Sequence, residues 1–130
     1  MPVTYRIDVA RRLIRTSCTS PLTFAEVIAH FHTLSTDPIC SGYLDVLLDV
    51  SAADELPASN QLGAVTAELG AIRQKVQFGF CAIVAARDAM FGMMRMFEVF
   101  AGPYFRKIRV FRDLPTAEAW LLAPQSAEST

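Results

Sequence analysis

Two short runs near the start of the chain alternate apolar and polar side chains with the period of two expected of half-buried strands. Tyr5, Ile7 and Val9 interleave with Arg6 and Asp8, and Ile14, Thr16 and Cys18 share one face beyond Ala10-Arg11. Together they predict a hairpin, although no Gly or Asn marks its turn. The period then changes. Phe24, Val27, Ile28, Phe31 and Leu34 recur at helical spacing behind Thr23, and the Thr23-x-x-Glu26 pair is arranged to satisfy the free amides of a helix start. Asp37-Pro38 and Gly42 end that helix. Tyr43 to Val50 is apolar enough to be a strand covered on both faces. Ser59 is placed to cap a second helix with the stripe Leu62, Val65, Leu69 and Ile72. A strand over Phe78 to Ala86, a helix over Arg87 to Ala101 stopped by Gly102-Pro103, and a strand over Lys107 to Arg112 follow. Asp113 then caps a short helix carrying Ala117, Trp120 and Leu121.

The order β-β-α-β-α-β-α-β-α predicts an α/β domain: one mainly parallel mixed sheet, an antiparallel N-terminal edge strand, and helices packed on it through right-handed crossovers. One domain over 1–122 and a flexible tail over 123–130 account for the 130 residues. Sites in such sheets lie beyond the carboxyl ends of the strands. Those ends hold Asp49 to Asp54, Arg87-Asp88 and Arg112-Asp113, and Asp49 pairing with Arg87 or Arg95 is the candidate strand-end polar cluster.

Composition narrows the classes. With 52% hydrophobic residues, 19% charged residues and a net charge of -1, the chain is expected to fold and lacks the basic excess of a nucleic-acid binder. The longest apolar run, Val76 to Ala86, is about half a membrane span, so stable membrane insertion is not expected. Three cysteines without a C-x-x-C pair predict neither a disulfide framework nor a zinc site, and with them a reducing, cytoplasmic setting. Gly63 and Gly70 lack phosphate-loop spacing and form, with Ala67, a small-residue strip suited to close helix packing. His30 and His32 lie about 200° apart around their helix and cannot share a metal, which leaves both at the boundary of the apolar stripe. Asp45 and Asp49 share a strand face about 13 Å apart, beyond the separation of paired glycosidase carboxylates. No cofactor and no catalytic residue is predicted.

The helix over 87–101 carries the most information. Met90, Met93, Met94, Phe97, Phe100 and Ala101 make an arc for the sheet, yet Gly92, Met96 and Val99 make a second apolar face opposite, leaving only Phe91, Arg95 and Glu98 between them. Arg95 is placed to stack on Phe91 or pair with Glu98. The outer face asks for a cover: a second subunit, an apolar ligand, or the loop from Ala101 to Arg106.

Leu47-Leu48-Asp49, Ala82-Ile83-Val84, Phe91-Gly92-Met93-Met94-Arg95-Met96 and Val110-Phe111-Arg112-Asp113 leading to Ala119-Trp120-Leu121 resemble the small bacterial SpoIIAA-like proteins. These are STAS-like in fold and likened to CRAL-TRIO lipid-binding domains. The resemblance runs from about Tyr5 to Leu121 and implies a self-associating α/β domain without established enzymatic activity. In the true sigma-pathway antagonists an Asp-Ser pair opens the second helix, and its serine is the phosphorylation switch. Here Ser59 matches the serine, and Ala58 stands where the aspartate would be.

The expected function is therefore a non-enzymatic regulatory or interaction domain that binds itself, as a homodimer, or another protein. Gly92, Met96, Val99, Arg95 and Phe91 are its candidate interface, and Ser59 its candidate phosphorylation site. The alternative is a binder of a small apolar, lipid-like ligand held by Met90, Met94 and Phe97 beneath the third helix. An enzyme using Asp49 and Arg95 is a third class.

Overall fold

The computed structural model describes residues 3–20, 22–53 and 61–123. Its elements are β1 (Val3–Asp8), β2 (Leu13–Thr19), α1 (Phe24–Thr36), β3 (Gly42–Ala52), α2 (Leu62–Ile72), β4 (Val76–Val84), α3 (Asp88–Ala101), a 3-10 turn (Gly102–Tyr104), β5 (Lys107–Phe111) and α4 (Leu114–Leu122). The five strands form a single sheet in chain order, β1-β2-β3-β4-β5. β1 and β2 run antiparallel and the other pairs parallel, as the alternation of strands and helices predicts.

The hairpin closes without glycine because Arg12 itself takes the left-handed conformation, at φ 53. That conformation disfavours a side chain with a Cβ, and long-range bonds hold it in place. The Arg12 guanidinium donates to the carbonyls of Tyr43 (3.1 Å) and Ser41 (2.7 Å), while the Asp8 carboxylate accepts from the Arg11 amide. The strand pattern therefore stops at Asp8, and Val9 lies exposed in the turn.

Side-chain alternation splits the core into two layers. Ile14, Leu44, Val50, Cys81 and Ile83 point to the face shared by α1, α2 and α3, where Leu34, Leu69 and Met94 meet them. Leu13, Leu47, Phe80, Ala82 and Phe111 point to the opposite face, where α4 lays Ala117 and Trp120 across them. Three successive parallel connections of one hand in a sheet that grows in one direction place their helices on one side. Among the described helices, α4 alone reaches the other.

Two capping predictions match the observed ends. Thr23 Oγ1 accepts from the Glu26 amide, and Asp113 Oδ1 from the Thr116 amide. The α2 start differs from expectation, with Gln61 at the N-cap position and no side-chain cap. Ser59 lies outside the described residues, as does the tail beyond Ala123. The small strip of α2 is no helix seam. Gly63 and Ala67 face outward, and Gly70 instead receives the ring of Tyr104 from the 3-10 turn.

β3 and β4 slip by one residue between Leu44 and Val46, so that Gly79 and Phe80 form a bulge on β4. Asp45 serves this bulge, since its Oδ1 accepts from the Phe80 amide at 2.8 Å. A Cβ on Gly79 would collide with Tyr43 and Asp45, so the close approach of those two side chains requires glycine there.

Candidate functional site

α1 carries the stripe that its sequence predicts, but it is a shallow cover. Leu34 is its one buried residue, while Phe24, Val27 and Phe31 are only partly buried against the core. Its main neighbour is α2, and it meets the sheet chiefly at β1. Its C-terminal end is pinned. Lys75 Nζ donates to the carbonyls of Leu34 (3.1 Å), Ser35 (2.8 Å) and Asp37 (2.6 Å), setting a cation on the end of the helix dipole. Tyr5 ties the same corner to β1 by donating to Asp37 Oδ2 at 2.6 Å.

Between this raised helix, the sheet, α2 and α3 lies a cavity of about 130 Å³. Its floor is Ile14, Thr16 and Cys18 of β2 with Val46, Leu48 and Val50 of β3. Val27, His30 and Phe31 of α1, Val65 and Leu69 of α2, and Met93, Met94 and Phe97 of α3 contribute walls. The side chains on it that carry a polar atom are Thr16, His30, Cys18 and Cys81, and among the described residues no acidic side chain, lysine or arginine lines it.

Burial pushes the His30 imidazole down to about 4, so its ring is neutral at pH 7. The ring stands edge-on to Tyr5 at 5.4 Å between centroids and lies 5.8 Å from Phe31. Burial also pushes the Tyr5 phenol up to about 12, with the Asp37 hydrogen bond adding to the shift, so that phenol remains a donor. The Cys18 thiol is pushed up to about 12 by burial and by the charge of Asp49, and the Cys81 thiol is raised by burial above all. Neither is a thiolate at neutral pH, so neither is primed as a nucleophile.

Of the residues expected to hold an apolar ligand, Met94 and Phe97 are on the cavity wall, joined by Met93, while Met90 is buried in the same core. His30, expected at the boundary of the apolar stripe, is partly buried there and reaches the cavity wall. It lies three residues after Val27 and four before Leu34, which puts it on the inward stripe, whereas His32 turns outward toward Glu68 at 3.7 Å.

The outer face of α3 is bare. Gly92 is exposed, and Met96, Val99 and Phe100 are 44%, 78% and 46% exposed. Phe100 departs from the expected phase, since the inward arc closes on Met90, Met94, Phe97 and Ala101 and leaves Phe100 beside Met96. Arg95 Nε lies 3.1 Å from Glu98 Oε1. The guanidinium over Phe91 belongs to Arg112, at 4.0 Å from the ring centroid.

An ion pair lies at the carboxyl ends of β4 and β5. Arg112 donates to Asp88 Oδ1 at 2.7 Å and to the Ala86 carbonyl at 3.2 Å. Asp49 Oδ1 accepts from the Ser51 amide, Arg87 occupies the N-cap position of α3, and Arg95 is engaged along its own helix.

Among the described residues, no helix is long and apolar enough to cross a membrane. Compared with protein-family models, curated proteins and solved structures, the chain finds no match, and the functional reading rests on its own geometry.

Proposed function

We propose that this protein is a non-enzymatic binding module that holds one small apolar molecule in the cavity under α1. The observation that carries this reading is the cavity itself: about 130 Å³ of space walled almost wholly by apolar side chains. Close-packed interiors rarely keep space of that size. An engineered apolar cavity of about 150 Å³ stays dry and admits benzene, so this one suits a single ring or a short chain. Thiols with raised pKa values support binding rather than catalysis. Three buried free cysteines are consistent with a reducing, cytoplasmic setting.

The test is amide NMR with toluene as the probe. Shifts are expected along β2, β3 and the inward faces of α1 and α3, while α4 on the opposite sheet face stays unmoved. Saturating toluene that leaves the cavity residues unshifted would refute the reading.

A second reading, self-association through α3, is favoured by the exposed Met96, Val99 and Phe100, which are neighbours at helical spacing. Exposed methionines and aromatics suit a protein contact, and the SpoIIAA-like resemblance implies the same behaviour. Native mass spectrometry tests it. A dimer that Met96→Lys dissociates supports the contact, and a monomer at all accessible concentrations removes it. Phosphorylation of Ser59 is the remaining regulatory proposal, tested by intact-mass measurement of protein purified from its own cell.

A further inference from the structure

The proposed reading leaves open what kind of apolar molecule the cavity takes, and its wall narrows the choice. A buried carboxylate or ammonium without a partner is strongly disfavoured, and among the described residues no cation or acid lines this space. A charged ligand head finds no counter-charge on that wall. A ligand with one neutral polar group could, because His30 reaches the wall from α1 and Thr16 rises from β2.

The His30 ring has an aromatic neighbour on β1. Tyr5 packs against it edge-on, and the Tyr5 hydroxyl is itself fixed by Asp37 at the C-terminal end of α1, the corner clamped by Lys75. A neutral imidazole offers one donor and one acceptor. The rest of the wall suits a ring. Phe31, Phe97 and Phe78 offer aromatic edges and faces, and Met93 and Met94 offer thioethers that pack well against aromatic carbon.

We infer that the cavity is a site for a neutral one-ring aromatic alcohol of the phenol class, with His30 as the residue that selects its hydroxyl. This rests on the apolar-ligand reading above and names its ligand class. A site that hydrogen-bonds a hydroxyl discriminates against the analogue lacking it, because the protein group is then left unpaired.

Three probes with one ring scaffold separate the outcomes: p-cresol, toluene and 4-methylbenzoate, titrated calorimetrically at pH 7.5 against the full chain, His30→Phe and His30→Gln. The wild type is expected to prefer p-cresol to toluene and to show no uptake of 4-methylbenzoate. In His30→Phe the p-cresol-to-toluene affinity ratio is expected to fall at least tenfold with toluene binding retained. His30→Gln, which keeps a neutral donor and acceptor, should stay within about threefold of wild type.

An unchanged ratio in His30→Phe overturns the inference while leaving the apolar site standing, and so does tight binding of 4-methylbenzoate. Failure of all three probes to bind the wild type removes the underlying reading as well. Should His30→Phe not fold, the ring nitrogen resonances of His30 in the wild type decide. Movement with p-cresol and not with toluene supports the assignment, and equal response to both overturns it.

Discussion

Filling the space under α1 stabilises the protein. A cavity of about 130 Å³, at roughly 24 cal/mol per Å³, represents at most about 3 kcal/mol of forgone packing, because part of its boundary is open to solvent. The double variant Val46→Ile, Val65→Leu adds one methylene from the sheet floor and one from α2, both aimed into the space. At about 0.8 kcal/mol per buried methylene the gain is about 1.6 kcal/mol. That corresponds to a rise in Tm of roughly 5–8 °C for a domain of this size. Urea titration followed by tryptophan fluorescence measures it, because Trp120 lies in the α4 layer and reports global unfolding rather than the cavity. The same variant should bind toluene at least tenfold more weakly. Extra methylenes in an already filled core typically cost about 1–3 kcal/mol. A destabilised double variant would therefore show that the side chains around the space close it in solution, and would refute both the void and the ligand site.

Lys75→Met removes three hydrogen bonds to the end of α1 and should lower stability by about 2–3 kcal/mol in the same urea assay, with α1 amides losing the most protection from hydrogen exchange. Asp45→Ala strands the Phe80 amide at the bulge and should cost about 1–3 kcal/mol, with Gly79→Ala destabilising through the same contacts. For His30, the folded ring titrates near 4 and the unfolded ring near 6.5. The unfolded chain takes up the proton first as pH falls, so stability is full above about pH 6.5 and is lost between there and pH 4. Roughly 2 kcal/mol, discounted for the partly exposed ring, should disappear across that window, and His30→Phe should flatten it. Acid titration of unfolding free energy checks this, and a slope unchanged by the substitution would contradict it.

Much of the fold is legible in the chain because it is written locally. Tyr5, Ile7, Ile14, Thr16 and Cys18 alternate as a hairpin must, Thr23 and Asp113 sit where caps belong, and Gly102-Pro103 ends α3. The misses share a different cause. Arg12 holds a left-handed turn through carbonyls about thirty residues away, and Lys75 caps α1 from beyond the next strand and helix. Asp45 answers a bulge that exists only once β3 and β4 have paired. The cavity is the clearest case. Val27, Phe31 and Leu34 identify the apolar side of α1, but hydrophobic periodicity gives a direction and no distance, and an apolar wall reads the same whether it touches its neighbour or faces empty space. The phase of α3 illustrates the limit at finer scale, since Phe100 differs from its expected place by a modest rotation about the helix axis.

The order of the strands has a kinetic consequence. Because each strand pairs with its neighbour in sequence, the sheet is able to assemble vectorially as the chain leaves the ribosome. The hairpin offers β2 as a template, and each later helix-strand unit docks on the edge left by the one before. No strand has to be inserted between two partners already made, so the search at each step spans only one crossover. At each step there is one growing edge. Among the described strands β5 occupies the far edge, and it carries Lys107 and Arg109 exposed, charges that discourage another chain from continuing the sheet.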